Sequence, residues 1–305
     1  MPLIAQSGEL YDRIVEVEIG KQGSKGFLLT GSGLDSYKID FNVQYKMDGQ
    51  PTKGSLTLYN APRRLAQDLQ EGKGFVRLSA GHNGVSGVIF AGIPARDSVH
   101  LTKEGQELVL KMDATAGGSR YRTANTSISI SGEVGLKTLL SKLISDAGWT
   151  PGVLDIPNEA RLTRNFVHCG QTQQALERVA RAAQVELIFE NERVHAVPVG
   201  GSFGKNSERA PVSSSKHGPL YGTITYGGLS STKSGEQGKS SNGLSFTGIL
   251  IPGIYPGKHV VVEYLDPLSG TWLRHAIVVR DITYAGGTIG SEFCVKISGV
   301  PVRTR

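Results

Sequence analysis

Apolar and polar positions alternate with a period of two along much of this chain. Val15, Val17 and Ile19 alternate with Glu16, Glu18 and Gly20; Ile39, Phe41, Val43 and Tyr45 alternate with Lys38, Asp40, Asn42 and Gln44. Successive side chains of a strand point to opposite faces, so this pattern predicts strands with one buried and one wet face. Met47-Asp48-Gly49 reads as a hairpin turn, because Asp-Gly tolerates the positive φ such turns need, and Ser55–Tyr59 is the return strand. Asn60-Ala61-Pro62 ends that strand, and Arg63–Gln70 reads as a short helical turn.

The period changes after residue 128. Leu136, Leu139, Leu140, Leu143, Ile144 and Ala147 recur at helical spacing, which predicts a helix over Glu133–Ala147 with Ser131 as N-cap and Gly148 as its stop. A second amphipathic helix is predicted over Thr172–Gln184, running into strands Val185–Phe189 and Val194–Pro198 about a turn at Glu190-Asn191-Glu192. Trp149 is placed to cap the first helix against the core. Residues 200–216 and 227–243 are rich in Gly and Ser and read as a linker and a long loop. Strands resume near Tyr221–Tyr226 and again from Leu244.

An internal duplication frames this middle part. Phe75-Val76-Arg77-Leu78, Gly87, the run Val88–Ile93 and Arg96-Asp97 recur as Val260-Val261-Val262-Glu263, Gly270, Ala276–Val279 and Arg280-Asp281, with Gly-Lys (72–73 and 257–258) before each copy. Leu108–Lys111 matches Phe293–Lys296, and Gly54-Ser55-Leu56-Thr57-Leu58 roughly matches Gly243-Leu244-Ser245-Phe246-Thr247. A β module repeated about 185 residues on predicts two similar domains. The expected fold is mainly β with an inserted α+β domain: barrel-like domains at 1–125 and 201–305, the latter carrying the loop 227–243, and a helix-hairpin domain at 126–200.

Composition agrees. Glycine is 40 of 305 residues, about 13%, against roughly 7% in average usage, and its spread between short β-branched runs means many turns. Net charge is +6 from 33 basic and 27 acidic residues. Both signs are mixed along the chain, with no alternation of basic and aromatic residues that would make a stacking platform for nucleic acid. Cys169 and Cys294 form no CxxC spacing, which argues against a disulfide framework or zinc site and fits assembly in a reducing cytoplasm. The N-terminus lacks a signal-peptide pattern, and no segment reaches the ~20 apolar residues of a membrane span, so no membrane anchor is expected.

Chemistry-bearing motifs are few. Gly200-Gly201-Ser202-Phe203-Gly204 has the spacing of a nucleophile elbow, but a polar stretch follows where that turn needs a helix. Gly238-Lys239-Ser240 looks like the end of a phosphate loop, yet Lys233 stands where its first glycine belongs. The seven histidines are scattered without i, i+4 pairs, and Glu190 and Glu192 read as solvated turn residues. No catalytic residue, cofactor or metal is expected.

The ordered pieces carry a resemblance. Gly54–Asn60, then Gly74–Ile93, then Ser215–Gly222 with Gly248–Gly257 together resemble the baseplate hub proteins of long-tailed bacteriophages and the related spike bases of contractile injection and type VI secretion machines. The resemblance implies a structural, non-enzymatic virion protein assembled in the host cytoplasm. It implies a homotrimer whose paired barrels match a hexameric tail tube to a trimeric spike. Its partners would be tail tube, spike or tail-tip, tape-measure and other baseplate proteins, and DNA would pass with only non-specific contact. Met47, Asp48, Gly49 and Ser230, Ser231, Thr232, Lys233, Ser234 are the candidate inter-subunit or tube contacts. Three other readings stand beside it: a cell-wall hydrolase or esterase using Ser202 or a carboxylate pair, a barrel-type binding module, and the spike base of a bacterial secretion machine.

Overall fold

The computed structural model describes residues 12–21, 26–31, 36–71, 74–82, 85–117, 123–157, 162–202, 210–214, 220–229, 241–265, 271–290 and 292–302. The first β module comprises β1 (Arg13–Lys21), β2 (Phe27–Thr30), β3 (Ile39–Lys46), β4 (Lys53–Tyr59), β5 (Gly74–His82), β6 (Val85–Pro94), β7 (His100–Glu104) and β8 (Glu107–Thr115), with helix α1 (Arg63–Gln70) after β4. The expected alternation holds: Val15, Val17, Ile39 and Val43 are buried, while Gln44 and Lys46 are exposed. Gly49 turns the β3–β4 hairpin at φ 73°, and the Asp48 carboxylate accepts a hydrogen bond from the Gln50 amide at 2.9 Å.

The second β module comprises β14 (Ala210–Ser214), β15 (Leu220–Leu229), β16 (Ser241–Ile249), β17 (His259–Leu265), β18 (Trp272–Gly287) and β19 (Phe293–Pro301). The strand pairing repeats that of the first. β3 pairs β4, which pairs β8; β15 pairs β16, which pairs β19. The β5–β6 hairpin corresponds to β17–β18. The repeat read from the sequence therefore has a structural counterpart, with one correction. Lys111 pairs with Thr57 and Lys296 with Thr247, so Ser55-Leu56-Thr57 matches Ser245-Phe246-Thr247, one residue along from the sequence alignment. The reason is the period of two: a one-residue slip would send every side chain to the wrong face. A second correction concerns the loop 227–243. Gly227–Leu229 lies in β15 and Ser241–Gly243 in β16, paired to each other, which leaves 230–240 between them and outside the described residues.

The two modules are fused. β18 is 16 residues long. It pairs with β17 over Trp272–Val278, then passes a bulge and pairs with β3 over Asp281–Gly287, while β19 follows its other edge. One sheet thus runs β15-β16-β19-β18-β3-β4-β8 across both modules, and β7 adds to β8. Beneath it lies one hydrophobic core that draws Leu56, Leu58 and Leu110 from one module and Phe246, Ile282 and Tyr284 from the other.

The inserted domain has its own core. It contains β9 (Asn125–Gly135), α2 (Leu136–Asp146), β10 (Thr150–Leu154), β11 (Leu162–Gln171), α3 (Thr172–Ala183), β12 (Val185–Glu190) and β13 (Arg193–Pro198). Helix α2 starts three residues later than its periodicity predicts and without Ser131 as cap. Val134 and Gly135 are held in a ribbon with β11, and the helical pattern cannot show that competing long-range pairing. Gly148 stops α2 at φ 80°. Trp149, buried and edge-on to Phe189 at 5.0 Å, fills the core beside it. Among the described residues, no helix is long and apolar enough to cross a membrane.

Candidate functional site

The feature with the clearest capacity for function is the polar face of the shared sheet. From β8 through β4, β3, the Asp281–Gly287 half of β18 and β19 to β16 the pairing holds register, so side chains of the same face form rows that cross the module boundary. One row runs Asp113, Ser55 and Asn42 and ends at the buried Ala285. Another runs Lys53, Gln44, Thr283, Lys296, Thr247. Hydroxyls and amides dominate, and lysines 46, 53, 111 and 296 are interspersed with Asp40, Asp113 and Asp281. Several are tied down locally: Lys111 to Glu104 at 2.7 Å, Lys296 to Glu292 at 2.9 Å, and Ser245 to Ser298 at 2.8 Å. Such a surface is wettable and nearly charge-balanced, so it offers a polyanion little net attraction.

On the opposite side, the inserted domain is clamped onto the module junction. The β12–β13 hairpin turns at Asn191, at φ 49°. Its side-chain oxygen accepts the Ala91 amide at 2.9 Å and lies 3.3 Å from the Tyr45 hydroxyl, whose shorter bond goes to the Ile89 carbonyl at 2.7 Å. Thr52 donates to the Phe189 carbonyl at 3.0 Å. Arg280 of β18 reaches Glu186 of β12 at 2.6 Å, both largely buried. Tyr45, Tyr255 and Tyr284 pack edge-to-face here. Burial pushes the Tyr255 hydroxyl up to about 12; the Glu190 carboxylate adds to this and a hydrogen bond with Asn191 opposes it. Asp281 beside the junction is also raised, first by burial and then by Asp48, against the pull of Lys46 and Arg280.

Met47, expected at an exposed tip, is buried inside this clamp with Ile188 and Val197, and its sulfur lies 3.1 Å from an Arg280 nitrogen. Asp48 and Gly49 are half-buried beside it. Ser230, Ser231, Thr232, Lys233 and Ser234 lie outside the described residues, as do Gly238-Lys239-Ser240 and the last two residues of the elbow-like motif. Ser202 follows β13 in an irregular stretch.

Sequence reasoning missed one polar pair. Glu190 is not merely a solvated turn residue: its carboxylate lies 2.9 Å from His195 Nε2, while His195 Nδ1 accepts the Val153 amide at 3.0 Å. An acceptor at Nδ1 places the proton of the neutral ring on Nε2, which donates to Glu190. Gly152 permits this, since a Cβ there would strike the imidazole. Both ring nitrogens are engaged, so the pair locks the hairpin against β10 and has no nitrogen left for general base work. The signal available in the sequence was the turn at 190–192, which brings residues 190 and 195 together across the hairpin. Among the described residues, no group of three or more His, Cys, Asp or Glu is placed to hold a metal.

His82 is the opposite case. It is buried at the end of β5, edge-on to Phe293 at 5.1 Å, and neither ring nitrogen has a hydrogen-bond partner among the described residues. Burial, and then nearby Arg13, lower its pKa. A histidine lowered in the folded state binds its proton more readily when unfolded. Stability is therefore whole above the unfolded value of about 6.5 and declines as pH falls below it. His82→Phe keeps the ring contact and removes the titration. Its thermal midpoint is expected to fall less than the wild type's between pH 7.5 and pH 5; equal falls in both proteins would refute this.

Comparison with solved structures places the fold. The chain is similar to the tail protein from Neisseria meningitidis MC58 (TM-score 0.62, 11% identity, 95% of this chain and 97% of that one). It is similar to the 43 kDa tail protein of prophage MuSo2 from Shewanella oneidensis (TM-score 0.60, 9% identity, 94% and 98%). It is also similar to an E. coli component of the type VI secretion system that itself has structural similarity to bacteriophage T4 tail proteins (TM-score 0.55, 8% identity, 93% and 77%). By sequence, no protein-family model and no curated protein matches.

Proposed function

We propose that this protein is the structural hub of a phage-tail baseplate: a homotrimeric ring that joins a hexameric tail tube to a trimeric spike and surrounds the channel through which DNA leaves. The observation that carries the reading is the pair of β modules with the same strand order, joined edge to edge in one chain. Three such chains offer six similar surfaces to a six-fold tube while keeping three-fold symmetry for a spike. The tail-protein fold supports the same assignment, and the nearly charge-balanced polar sheet face suits a wall past which DNA slides. Asp48, Gly49 and the segment holding Ser230–Ser234 are proposed contacts to the tube or to baseplate neighbours. The role is structural, without cofactor or catalysis. The spike base of a bacterial secretion machine is the second reading, favoured by the type VI likeness; copurification with a tube or spike protein from the same locus separates the two.

The test is native mass by light scattering, with and without the co-expressed spike protein. A mass about three times 32.6 kDa, alone or within a stable complex with the spike, is the expected result. A strict monomer under both conditions would remove the central claim. In the same assay, replacing residues 230–240 by an Asn-Gly turn, which suits the paired ends Leu229 and Ser241, should leave the fold intact and weaken ring or tube assembly.

A further inference from the structure

The tip of the β18–β19 hairpin belongs to the second module but is held by the first. Thr288 donates its amide to the Ile39 carbonyl at 2.9 Å and accepts the Ile39 amide on its hydroxyl oxygen at 3.0 Å. The same hydroxyl donates to the Tyr37 carbonyl at 3.2 Å. Gly31, just past β2, lies so close that a Cβ there would strike the Thr288 methyl. Arg13 of β1 completes the grip. One of its guanidinium nitrogens lies 2.7 Å from the Gly290 carbonyl and 3.4 Å from that of Gly287, and the guanidinium stands over the Phe293 ring at 5.1 Å. At the apex, Ile289 is 67% exposed.

The grip contains a polar group that it does not use. His82 faces Arg13 directly across β1 and β5, so both side chains point the same way, toward Phe293. His82 is 6% exposed and edge-on to Phe293, and neither of its nitrogens has a hydrogen-bond partner among the described residues. A neutral imidazole can occupy this site. An imidazolium would be a buried cation without an acceptor, set cross-strand from another cation, where like charges destabilise. Among the described residues no carboxylate faces it to compensate. Glu292 is on the opposite side of β19 from Phe293, tied to Lys296. Asp40 is on the opposite side of β3 from the buried Ile39 and Phe41. Glu16 and Glu18 lie on the outer side of β1, Glu18 with Arg77, and Asp12 is exposed. Arg13 is the charged group that acts on the ring.

From this we infer that Arg13, Phe293 and His82 form an acid-sensitive clasp: protonation of His82 releases the β18–β19 tip from the first module while the joint at Tyr284 stays closed. The charged ring finds water by swinging out past the end of β5, which unseats Phe293 and draws Arg13 off its two carbonyls. This is a local opening, separate from global unfolding. The closed clasp holds the ring neutral, whereas the open clasp gives it an ordinary pKa of about 6.5. The open form therefore binds the proton more readily, and opening is favoured as pH falls below that value. The gain is at most tenfold per pH unit, a ceiling of about thirtyfold at pH 5.

The experiment is hydrogen exchange of the full chain at pH 7.5 and pH 5, read as protection after correction for the intrinsic rate. Fragments spanning 286–293 and 37–42, which carry the Thr288 and Ile39 amides, should lose protection severalfold at pH 5, and a fragment spanning 279–285 should not. His82→Phe keeps the ring packing and should hold the protection of the tip level between the two pH values. Arg13→Gln removes the grip itself and should loosen the tip at pH 7.5 already. A pH-dependent loss confined to the clasp and absent from His82→Phe establishes the device. Protection of 286–293 that ignores pH in the wild type, falls equally in His82→Phe or falls equally over 279–285 overturns it, as does an Arg13→Gln tip as protected as the wild type's at pH 7.5.

Discussion

Truncation of Tyr284 to alanine is expected to destabilise the protein by about 3–5 kcal/mol, the range for removing a large buried aromatic side chain. Tyr284 is fully buried in β18 where the two modules meet. Its ring lies edge-on to Tyr45 of the other module at 6.3 Å, and its hydroxyl donates to the Ile254 carbonyl at 2.8 Å. Tyr284→Phe keeps the ring and strands only that carbonyl, so it should cost about 1–2 kcal/mol. The shared core makes a further demand. Both variants should unfold in urea with both β modules melting together, because neither has a core of its own. A truncation whose effect stays confined to one module, leaving the other folded, would contradict the single-core architecture.

Asn191→Ala is expected to be the second costly change, by about 2–4 kcal/mol. Two mechanisms add. The residue sits at positive φ, where a Cβ without a compensating polar group costs about 1 kcal/mol. Its oxygen also satisfies the Ala91 amide beside Tyr45, and an orphaned, part-buried donor costs about 1–3 kcal/mol. Asn191→Gly relieves the first cost and keeps the second, so it should fall between wild type and alanine. Because this side chain pins the inserted domain to the β modules, limited proteolysis should cut the Gly and Ala variants between the domains before wild type. Equal stability of Gly and wild type would show that the hydrogen bonds contribute nothing and that only backbone conformation matters.

Much of this fold was legible because burial is written locally. The alternation in β1 and β3, the Asp-Gly turn, the spacing of Leu136 to Ile144 in α2 and the hairpin after α3 each follow from one rule: which side of an element faces water. The duplication was legible for the same reason, since two copies of one β module need the same faces buried. The functional reading came from the order of those pieces, and the tail-protein fold bears out the resemblance on which it rested.

What the pattern could not show lies in pairing between distant segments. The β9–β11 ribbon was missed because Leu162–Gln171 alternates poorly and is held by β9 with a bulge at Asn165. Met47 read as a tip residue because its partners Ile188 and Val197 are far along the chain. The Glu190–His195 pair needed the hairpin register, and the match of Ser55 to Ser245 needed the sheet. The sequence by itself determined the elements, their buried faces and the repeat. Only the tertiary structure decided that β18 runs past its own module to pair with β3, because backbone hydrogen-bonding groups are alike at every residue. Which strand edges meet is settled by the packed core and the long-range closure around it, not by local pattern.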